Sequence, residues 1–472
     1  MQRDFRILSI TTIAISIAVA FTAMLEPIVA STFEMSRNGN EGWNAYHATR
    51  AYSDAPLYPA LDSYISNNYP PLSFFIVGGF AQLTGDAIYA GRIISLFGLL
   101  VTTANVYLIV SYLTHSNIAA AIGASAFLGI IASAFGIFVA MNDPQWLAHA
   151  VMTLGFVVFL YGRHRHSLVV LSALLMVMAG LIKHNLIPLP LAVTIWCWIY
   201  SKRTFRIWFA SAAAFSIAGV AWVFFEFGGD AIHGIALAPR VYALGRAVFH
   251  SATNLLWLLP WLAVFILYSK KYKLGAPVRL ILLYAALSIV WATIISGGQG
   301  VWVNAFFDAY IAFSILAAVA VAALINPDDP AKGCSRRVRL LAIVLLLGPS
   351  IILSFKNFRP VSLVTLSTHE NVVREQISII RRHPGPAICN FLAYCYWAGK
   401  SLHVDLFNLG QKFRTGALRE TEFIDKLERR QFAIIQVRPG MTKTTPKVLD
   451  AMYRNYRRTG PATARSILLV PK

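Results

Sequence analysis

Long apolar runs recur from near the start of the chain to about residue 355. A helix needs roughly 20 apolar residues to cross a hydrocarbon layer about 30 Å thick, and most of these runs approach that length. Only 13% of the residues are charged, whereas 57% are hydrophobic, which is typical of a multi-pass membrane protein. The runs predict about eleven transmembrane helices, at residues 7–28, 88–112, 117–140, 145–161, 167–182, 185–200, 206–226, 253–269, 278–296, 303–325 and 339–355.

One further apolar run, Pro70–Leu83, is short and begins with two prolines. Basic residues concentrate in cytoplasmic loops, so their positions show which side each loop faces. If Pro70–Leu83 does not span, five basic segments share the cytoplasmic face: Arg3 with Arg6, Arg163–His166, Ser201–Arg203, Lys270–Lys273 and Lys332–Arg339. We therefore predict a juxtamembrane or re-entrant helix there, with the C-terminus outside.

Residues 356–472 form a polar tail with roughly twenty basic and roughly eight acidic residues. Ala387–Phe391 and Phe432–Val437 are predicted strands, and Glu370–Arg382 and Glu420–Arg430 are predicted amphipathic helices. The sequence thus predicts a membrane domain, residues 1–355, followed by a small external soluble α/β domain, residues 356–472. In an external domain Cys389 and Cys395 could form a disulfide.

The net charge of +20 does not indicate nucleic-acid binding in such a chain. Basic residues of an integral membrane protein mainly set its topology and contact anionic lipid. The expected partner is therefore the lipid bilayer.

The first external loop, residues 31–87, is long, polar and aromatic, and it contains Glu41. Asn40 is predicted to cap a helix that carries this carboxylate. Burial beside aromatic rings at the membrane surface would raise the pKa of Glu41 toward that of a general base. Alternatively, Glu41 only favours a helix N-terminus.

Asp143 lies in an Asn-Asp-Pro turn on the same predicted face as Glu41. A turn aspartate before proline is common for structural reasons alone. Two carboxylates that converge at a membrane surface could instead divide acid and base roles, or hold a divalent metal ion.

Three basic residues near the predicted outer surface, Lys183, Arg92 and Arg240, are candidates to bind a phosphate. The structural alternative for Lys183 is a side chain that extends to the interface only to hydrate its charge. The glycine-rich turn Gly297–Asn304 has neither the Lys-Ser/Thr ending of a P-loop nor the dinucleotide-binding fingerprint.

In chain order, short segments of this sequence resemble motifs of the GT-C superfamily of glycosyltransferases. The similarity is to bacterial relatives of protein O-mannosyltransferases and of the lipid A aminoarabinose transferase, related to glycosyltransferase family 39. One departure is that Asn40 stands where the family commonly has the first member of an acidic pair. The resembling segments are Asn40–Gly42, Pro56–Tyr58, Tyr69–Leu72, Ala90–Ser95, Asn142–Pro144, Gly180–Lys183, Gln299–Asp308, Ala398–Lys400 and Asp405–Phe407.

The resemblance implies an inverting transfer of a sugar from a polyprenyl-phosphate donor at the outer face of the bacterial cytoplasmic membrane. The acceptor would be an envelope glycolipid, a polysaccharide or a protein. Glu41 would be the general base, with Asp143 as a second catalytic carboxylate. The leaving phosphate would be held by Lys183, Arg92 or Arg240, and the substrate loops would contribute His47, Arg50, Tyr69 and Asn304.

Two other functions also fit many membrane spans, namely a lipid or sugar flippase and an O-antigen polymerase or ligase. Against a flippase stand the lack of clear inverted repeats and of charged residues in mid-span. A polymerase or ligase would place its large functional loop late in the chain, whereas the long loop of this chain is the first external loop.

Overall fold

The computed structural model describes residues 2–325, 336–357, 362–440 and 444–472. The predicted basic segment Lys332–Arg339 lies partly outside these residues. The membrane part contains α1 (Gln2–Ala30), α2 (Gly39–Arg50), α3 (Leu72–Thr84), α4 (Ala87–Thr114), α5 (Asn117–Phe135), α6 (Gln145–Gly162), α7 (His166–Ile182), α8 (Pro188–Tyr200), α9 (Lys202–Leu237), α10 (Leu244–Ser269), α11 (Ala276–Ser296), α12 (Phe307–Ile325) and α13 (Arg336–Asn357).

Each predicted apolar run forms a helix, which confirms the multi-pass α-helical fold class. Among the described residues, nine helices are long and apolar enough to cross a membrane. The runs at 167–182 and 185–200 form α7 and α8, which have 17 and 13 residues and fall short of that length. The Pro70–Leu83 run forms α3, another short helix of 13 residues.

Helix α12 lies at the centre of the bundle, and 89% of its most apolar window is buried. It is hydrophobic on all sides, as expected for a helix surrounded by other helices. It packs against α5, α10 and α11, among others. The direction of the helices brings the loops at 31–71, 139–144, 183–187, 238–243 and 297–302 to one end of the bundle, here called the loop end.

Helix α2 begins at Gly39, because the Asn38 side chain caps it by accepting a hydrogen bond from the Asn40 N–H. The prediction of Asn40 as the cap is therefore wrong by two residues. The aromatic rings of Trp43, Tyr69 and Phe74 pack edge to face, which joins α2 to the start of α3.

The C-terminal domain, described for residues 362–440 and 444–472, contains one four-stranded sheet flanked by helices. The predicted strands and helices near 387, 434, 370 and 421 are confirmed, while two strands and three short helices were not predicted. The sheet order is β1-β2-β4-β3, in which only the β1–β2 pair is parallel. The elements are α14 (Leu363–Arg382), β1 (Ala387–Cys389), α15 (Leu392–Trp397), α16 (Leu406–Thr415), α17 (Thr421–Glu428), β2 (Ile434–Val437), α18 (Pro446–Asn455), β3 (Tyr456–Thr463) and β4 (Ser466–Pro471).

Helix α15 docks the C-terminal domain onto α2. The approach is so close that a Cβ atom added at Gly42 would collide with the backbone of Leu392 and Ala393. The Tyr46 hydroxyl donates a hydrogen bond of 2.6 Å to the Lys400 carbonyl at the same interface. Glycine is therefore required at position 42 by the packing of the two domains.

A disulfide joins Cys389, at the end of β1, to Cys395 in α15. The sequence alone left this pairing open. The bond closes the short segment that leads from the sheet to the helix docked on α2, so it stabilises the part of the domain that contacts the membrane helices.

We expect Gly42→Ala to lower the free energy of unfolding by about 1–3 kcal/mol, because the added methyl group must push α15 away from α2. Thermal unfolding in detergent would measure the change. Gly180→Ala is the matched control, since a Cβ atom there meets no neighbour within 4 Å. An equal loss of stability in both variants would contradict the close domain contact.

Candidate active site

Glu41 and Arg92 form a fully buried, two-pronged ion pair at the loop end. Arg92 Nε donates to Glu41 Oε1, and Arg92 Nη2 donates to Oε2, each at 2.9 Å. The backbone N–H groups of Arg37 and Asn142 donate to the same two oxygens, at 2.8 and 3.2 Å. Each carboxylate oxygen thus accepts two hydrogen bonds, and such paired geometry is the strong form of a carboxylate contact.

These contacts overturn the expectation that Glu41 has raised basicity. Burial raises the pKa of Glu41, but the charge and hydrogen bonds of Arg92, with the Arg37 contacts, outweigh burial and hold the pKa below its usual range. A carboxylate with a lowered pKa is a weaker base. Its role as general base remains a hypothesis that these contacts do not favour.

Arg92 also has no N–H group left for a ligand. Its Nη1 donates to the carbonyls of Ser31 and Phe33, at 2.8 and 2.9 Å, and its Nη2 also donates to the Met35 carbonyl at 2.7 Å. With the two bonds to Glu41, all five guanidinium hydrogens are used. The predicted binding of a phosphate by Arg92 would require these bonds to break.

Asp143 and Lys183 form a second buried ion pair, and here part of the carboxylate stays free. Asp143 Oδ1 accepts from Lys183 Nζ at 2.8 Å and from the Gln145 N–H at 2.9 Å. No described residue donates a hydrogen bond to Oδ2. Both residues are 4% exposed. Asp143 therefore offers an oxygen that can accept a proton, which Glu41 does not.

Lys183 extends over the ring of Tyr69, with Nζ 4.8 Å from the ring centre. Burial raises the pKa of Tyr69. The nearby charge of Arg240 lowers the pKa of Tyr69 by a smaller amount. Arg240 Nη1 is buried and has no hydrogen-bond partner in the described part of the chain. Burial also lowers the pKa of Arg240, so its charge lacks full compensation and would attract an anion.

A kink in α9 brings Arg240 to this position. Gly228 has φ +77°, in the left-handed region that glycine adopts at little cost, and it breaks the helix there. The segment after the kink packs on the loop before α3, where Gly234 lies close to the Asn67 carbonyl. The chain then reaches Arg240 beside Tyr69.

A small pocket lies beside Asp143, between α2, α3, α4 and α6. Two buried polar atoms that line it, Asn44 Oδ1 and Ser73 Oγ, have no hydrogen-bond partner among the described residues. Phe74 and Val77 contribute apolar surface. The pocket has room for a group about the size of one water molecule, so a hydroxyl can fit beside these two polar atoms.

The remaining predicted site residues lie around this centre. His47 is fully buried between Trp43 and Phe74, and burial lowers its pKa to about 3, so it is neutral near pH 7. Arg50 donates to the Leu402 carbonyl at 3.4 Å and so contacts the C-terminal domain. Asn304 donates to Gln145 Oε1 at 3.0 Å.

The sequence reading missed Asn142 as an organising residue. Its Nδ2 donates to the carbonyls of Glu41 and Ala87, at 3.1 and 3.2 Å. Its side chain fills the space beside Gly91, where a Cβ atom would collide with it. The only available signal was its position next to Asp143.

Within the described residues, no group of three or more His, Cys, Asp or Glu side chains could hold a metal ion. Glu41 and Asp143, the pair considered for a metal, each have their own basic partner. The site as described consists of two ion pairs and one additional cation.

Comparison with solved structures identifies the fold. ArnT, the lipid A aminoarabinose transferase from Cupriavidus metallidurans, matches with a TM-score of 0.63 both in the apo state and bound to undecaprenyl phosphate, at 12% and 13% identity. Each match covers 98% of this chain and 97% of ArnT. The Archaeoglobus fulgidus oligosaccharyltransferase, tethered with an acceptor peptide, matches with a TM-score of 0.57 at 10% identity over 98% of this chain and 74% of its own.

The chain therefore has the fold of GT-C membrane glycosyltransferases, which confirms the resemblance seen in its sequence. No protein-family model and no curated protein sequence matches it.

We expect Glu41→Gln to lower the free energy of unfolding by about 3–5 kcal/mol near pH 7, because it removes one partner of a buried ion pair. The folded-state pKa of Glu41 lies below its ordinary value. Its contribution is therefore complete above the unfolded-state pKa of about 4.3 and is lost as the pH falls through the folded-state pKa. Thermal unfolding measured from pH 7 to pH 3 should show the gap between wild type and variant closing.

Asp425→Asn serves as the control, because its ion pair with Arg429 is solvent-exposed. That variant should stay close to wild type throughout. A gap for Glu41→Gln that is constant with pH would show that the lost stability does not come from the charge of Glu41.

Proposed function

We propose that this chain is an inverting glycosyltransferase that moves a sugar from a polyprenyl-phosphate donor to an acceptor hydroxyl at the outer face of the bacterial cytoplasmic membrane. The observation that carries the proposal is the arrangement of Asp143, Lys183 and Arg240. It combines one free carboxylate oxygen with two cations at the loop end of a GT-C fold. Proton acceptance and phosphate binding are the two tasks of this reaction.

Two features support an outer location for the loop end. The basic loops 163–166, 201–203 and 270–273 follow α6, α8 and α10 at the opposite end of the bundle, and basic loops favour the cytoplasm. The disulfide between Cys389 and Cys395 lies in the domain docked at the loop end, and disulfides persist mainly in oxidising compartments outside the cytoplasm.

The donor phosphate would bind between Lys183 and Arg240. Lys183 is neutralised by Asp143, whereas Arg240 supplies a charge that attracts the anion. The polyprenyl chain would lie between α9 and α10, because α9 packs mainly on α7 and α8 while α10 packs on α11, α12 and α13. Apolar side chains at the end of α9 and the start of α10, including Leu237 and Leu244, are exposed and could contact such a chain.

The acceptor hydroxyl would enter the pocket formed by Asn44, Ser73 and Asp143. Asp143 Oδ2 accepts its proton as the oxygen attacks the anomeric carbon of the sugar. The bond from that carbon to the phosphate oxygen breaks at the same time, and its electron pair leaves with the phosphate. Lys183 and Arg240 stabilise the charge that develops there. Attack from the side opposite the leaving phosphate inverts the anomeric centre.

Glu41 was the first candidate for the base, and it has a different task in this proposal. Its four hydrogen bonds hold α2, α4 and the turn before Asp143 together. Asn40, which occupies the place of the family's first acidic residue, is an amide and cannot accept the proton. Asp143 is then the carboxylate best placed to do so.

We expect Asp143→Asn to lower donor turnover by about a hundredfold or more, because the amide cannot act as a general base. Purified protein in lipid vesicles would receive a panel of radiolabelled polyprenyl-phosphate sugars with extracted envelope lipids as acceptors. Arg240→Met should raise the KM for the donor, since it removes one of the two cations of the proposed phosphate site.

Asp54→Asn, an exposed carboxylate in the first loop, is the matched control and should keep full turnover. Glu41→Gln, assayed well below its unfolding temperature, should retain more activity than Asp143→Asn. The reverse order would return the base to Glu41. If wild type consumes no donor of the panel, the proposed reaction is wrong.

A further inference from the structure

The loop that carries Arg240 is held by a second loop of the membrane domain. Tyr242 and Gly298 form an isolated antiparallel bridge. The Ala243 N–H donates to the Gly297 carbonyl, and the Gln299 N–H donates to the Val241 carbonyl, each at 2.9 Å. Backbone hydrogen bonds therefore join the loop after α9 to the glycine-rich turn after α11.

One side chain of the C-terminal domain bonds to both loops. Gln411, in α16, is only 1% exposed. Its Oε1 accepts from the Val241 N–H at 3.0 Å, and its Nε2 donates to Gln299 Oε1 at 3.1 Å. Val241 directly follows Arg240, so Gln411 holds the backbone next to the guanidinium whose Nη1 has no hydrogen-bond partner among the described residues.

Phe407 lies on the same face of α16, one helical turn before Gln411. Its ring is 5.2 Å from the Arg240 guanidinium carbon, which is within the range of a cation–π contact. The ring also covers Gly300, whose φ of +91° and lack of a side chain allow the approach. Helix α16 thus contacts Arg240 directly through Phe407 and its loop through Gln411.

We propose that Gln411 is a positioning residue that completes the phosphate site from the C-terminal domain. This inference rests on the proposed function, because it assumes that Arg240 binds the phosphate of the donor. An arginine with a buried, unpartnered N–H group binds an anion well only if its backbone is held in place. Gln411 supplies that support through two hydrogen bonds, although it does not touch the ligand.

A purely structural role would also explain a buried glutamine, since buried amides require hydrogen-bond partners. The two roles differ in their dependence on Arg240. If Gln411 acts through Arg240, its substitution should have no effect on phosphate binding once Arg240 is gone. A double-mutant cycle measures this dependence.

The test measures the affinity of the purified full-length protein for undecaprenyl phosphate by isothermal titration calorimetry in detergent. The variants are Gln411→Met, Arg240→Met and the double variant. We expect Gln411→Met to weaken binding about fivefold or more, because it keeps the side-chain shape but loses both hydrogen bonds. The double variant should bind as weakly as Arg240→Met alone, within about twofold.

Thr415→Ala, in the same helix, is the control, since its hydroxyl donates to backbone carbonyls of α16, and it should bind like wild type. Gln299→Met removes one of the two bonds and replaces Gln411→Met if that variant does not fold. Its expected result is a smaller loss that also disappears in the Arg240→Met background.

Two results would overturn this inference and leave the proposed function standing. One is a double variant whose loss of affinity equals the product of the two single losses. The other is wild-type affinity in Gln411→Met. Failure of wild type to bind undecaprenyl phosphate would instead overturn the proposed phosphate site, and the inference with it.

Discussion

The buried pair of Glu41 and Arg92 is the contact on which the geometry of the loop end depends. A charge placed in the interior is unfavourable unless an opposite charge and hydrogen bonds compensate for it, so the pair allows very few arrangements of its surroundings. The pair joins α2 to α4. Arg92 also donates to backbone carbonyls in the segment after α1, and Glu41 accepts a hydrogen bond from the Asn142 N–H. Asp143 follows directly, and its place is therefore set by an ion pair to which it does not belong.

The two ion pairs illustrate how similar residues can have different tasks. In the first pair every hydrogen-bonding position is occupied, which suits a structural contact. In the second, Asp143 keeps one oxygen free and Lys183 neutralises the other. Arg240 adds a guanidinium whose Nη1 has no hydrogen-bond partner among the described residues, although Asp405 lies near enough to raise its pKa. Under the proposed function, this centre would supply one proton acceptor and the cations that bind the donor phosphate.

Much of the fold was predictable, because a helix that crosses a membrane must consist of a long apolar run. The site was predictable only in part. Glu41, Arg92, Asp143 and Lys183 were each recognised as charges near the membrane surface, but not as two pairs, because 51 and 40 positions separate the partners. Gln411 carries no such signal, since an amide in a soluble helix is ordinary until its neighbours are known.

The contact between Tyr46 and Lys400 connects residues 354 positions apart and has a consequence for biogenesis. During synthesis the helices of the membrane bundle are complete before α15 exists. The face of α2 that carries Tyr46 and Gly42 remains uncovered until that late segment, in which Cys389 is joined to Cys395, has folded against it. Folding of the protein thus ends with the docking of its last quarter, and a chain that stops earlier leaves this face of α2 exposed.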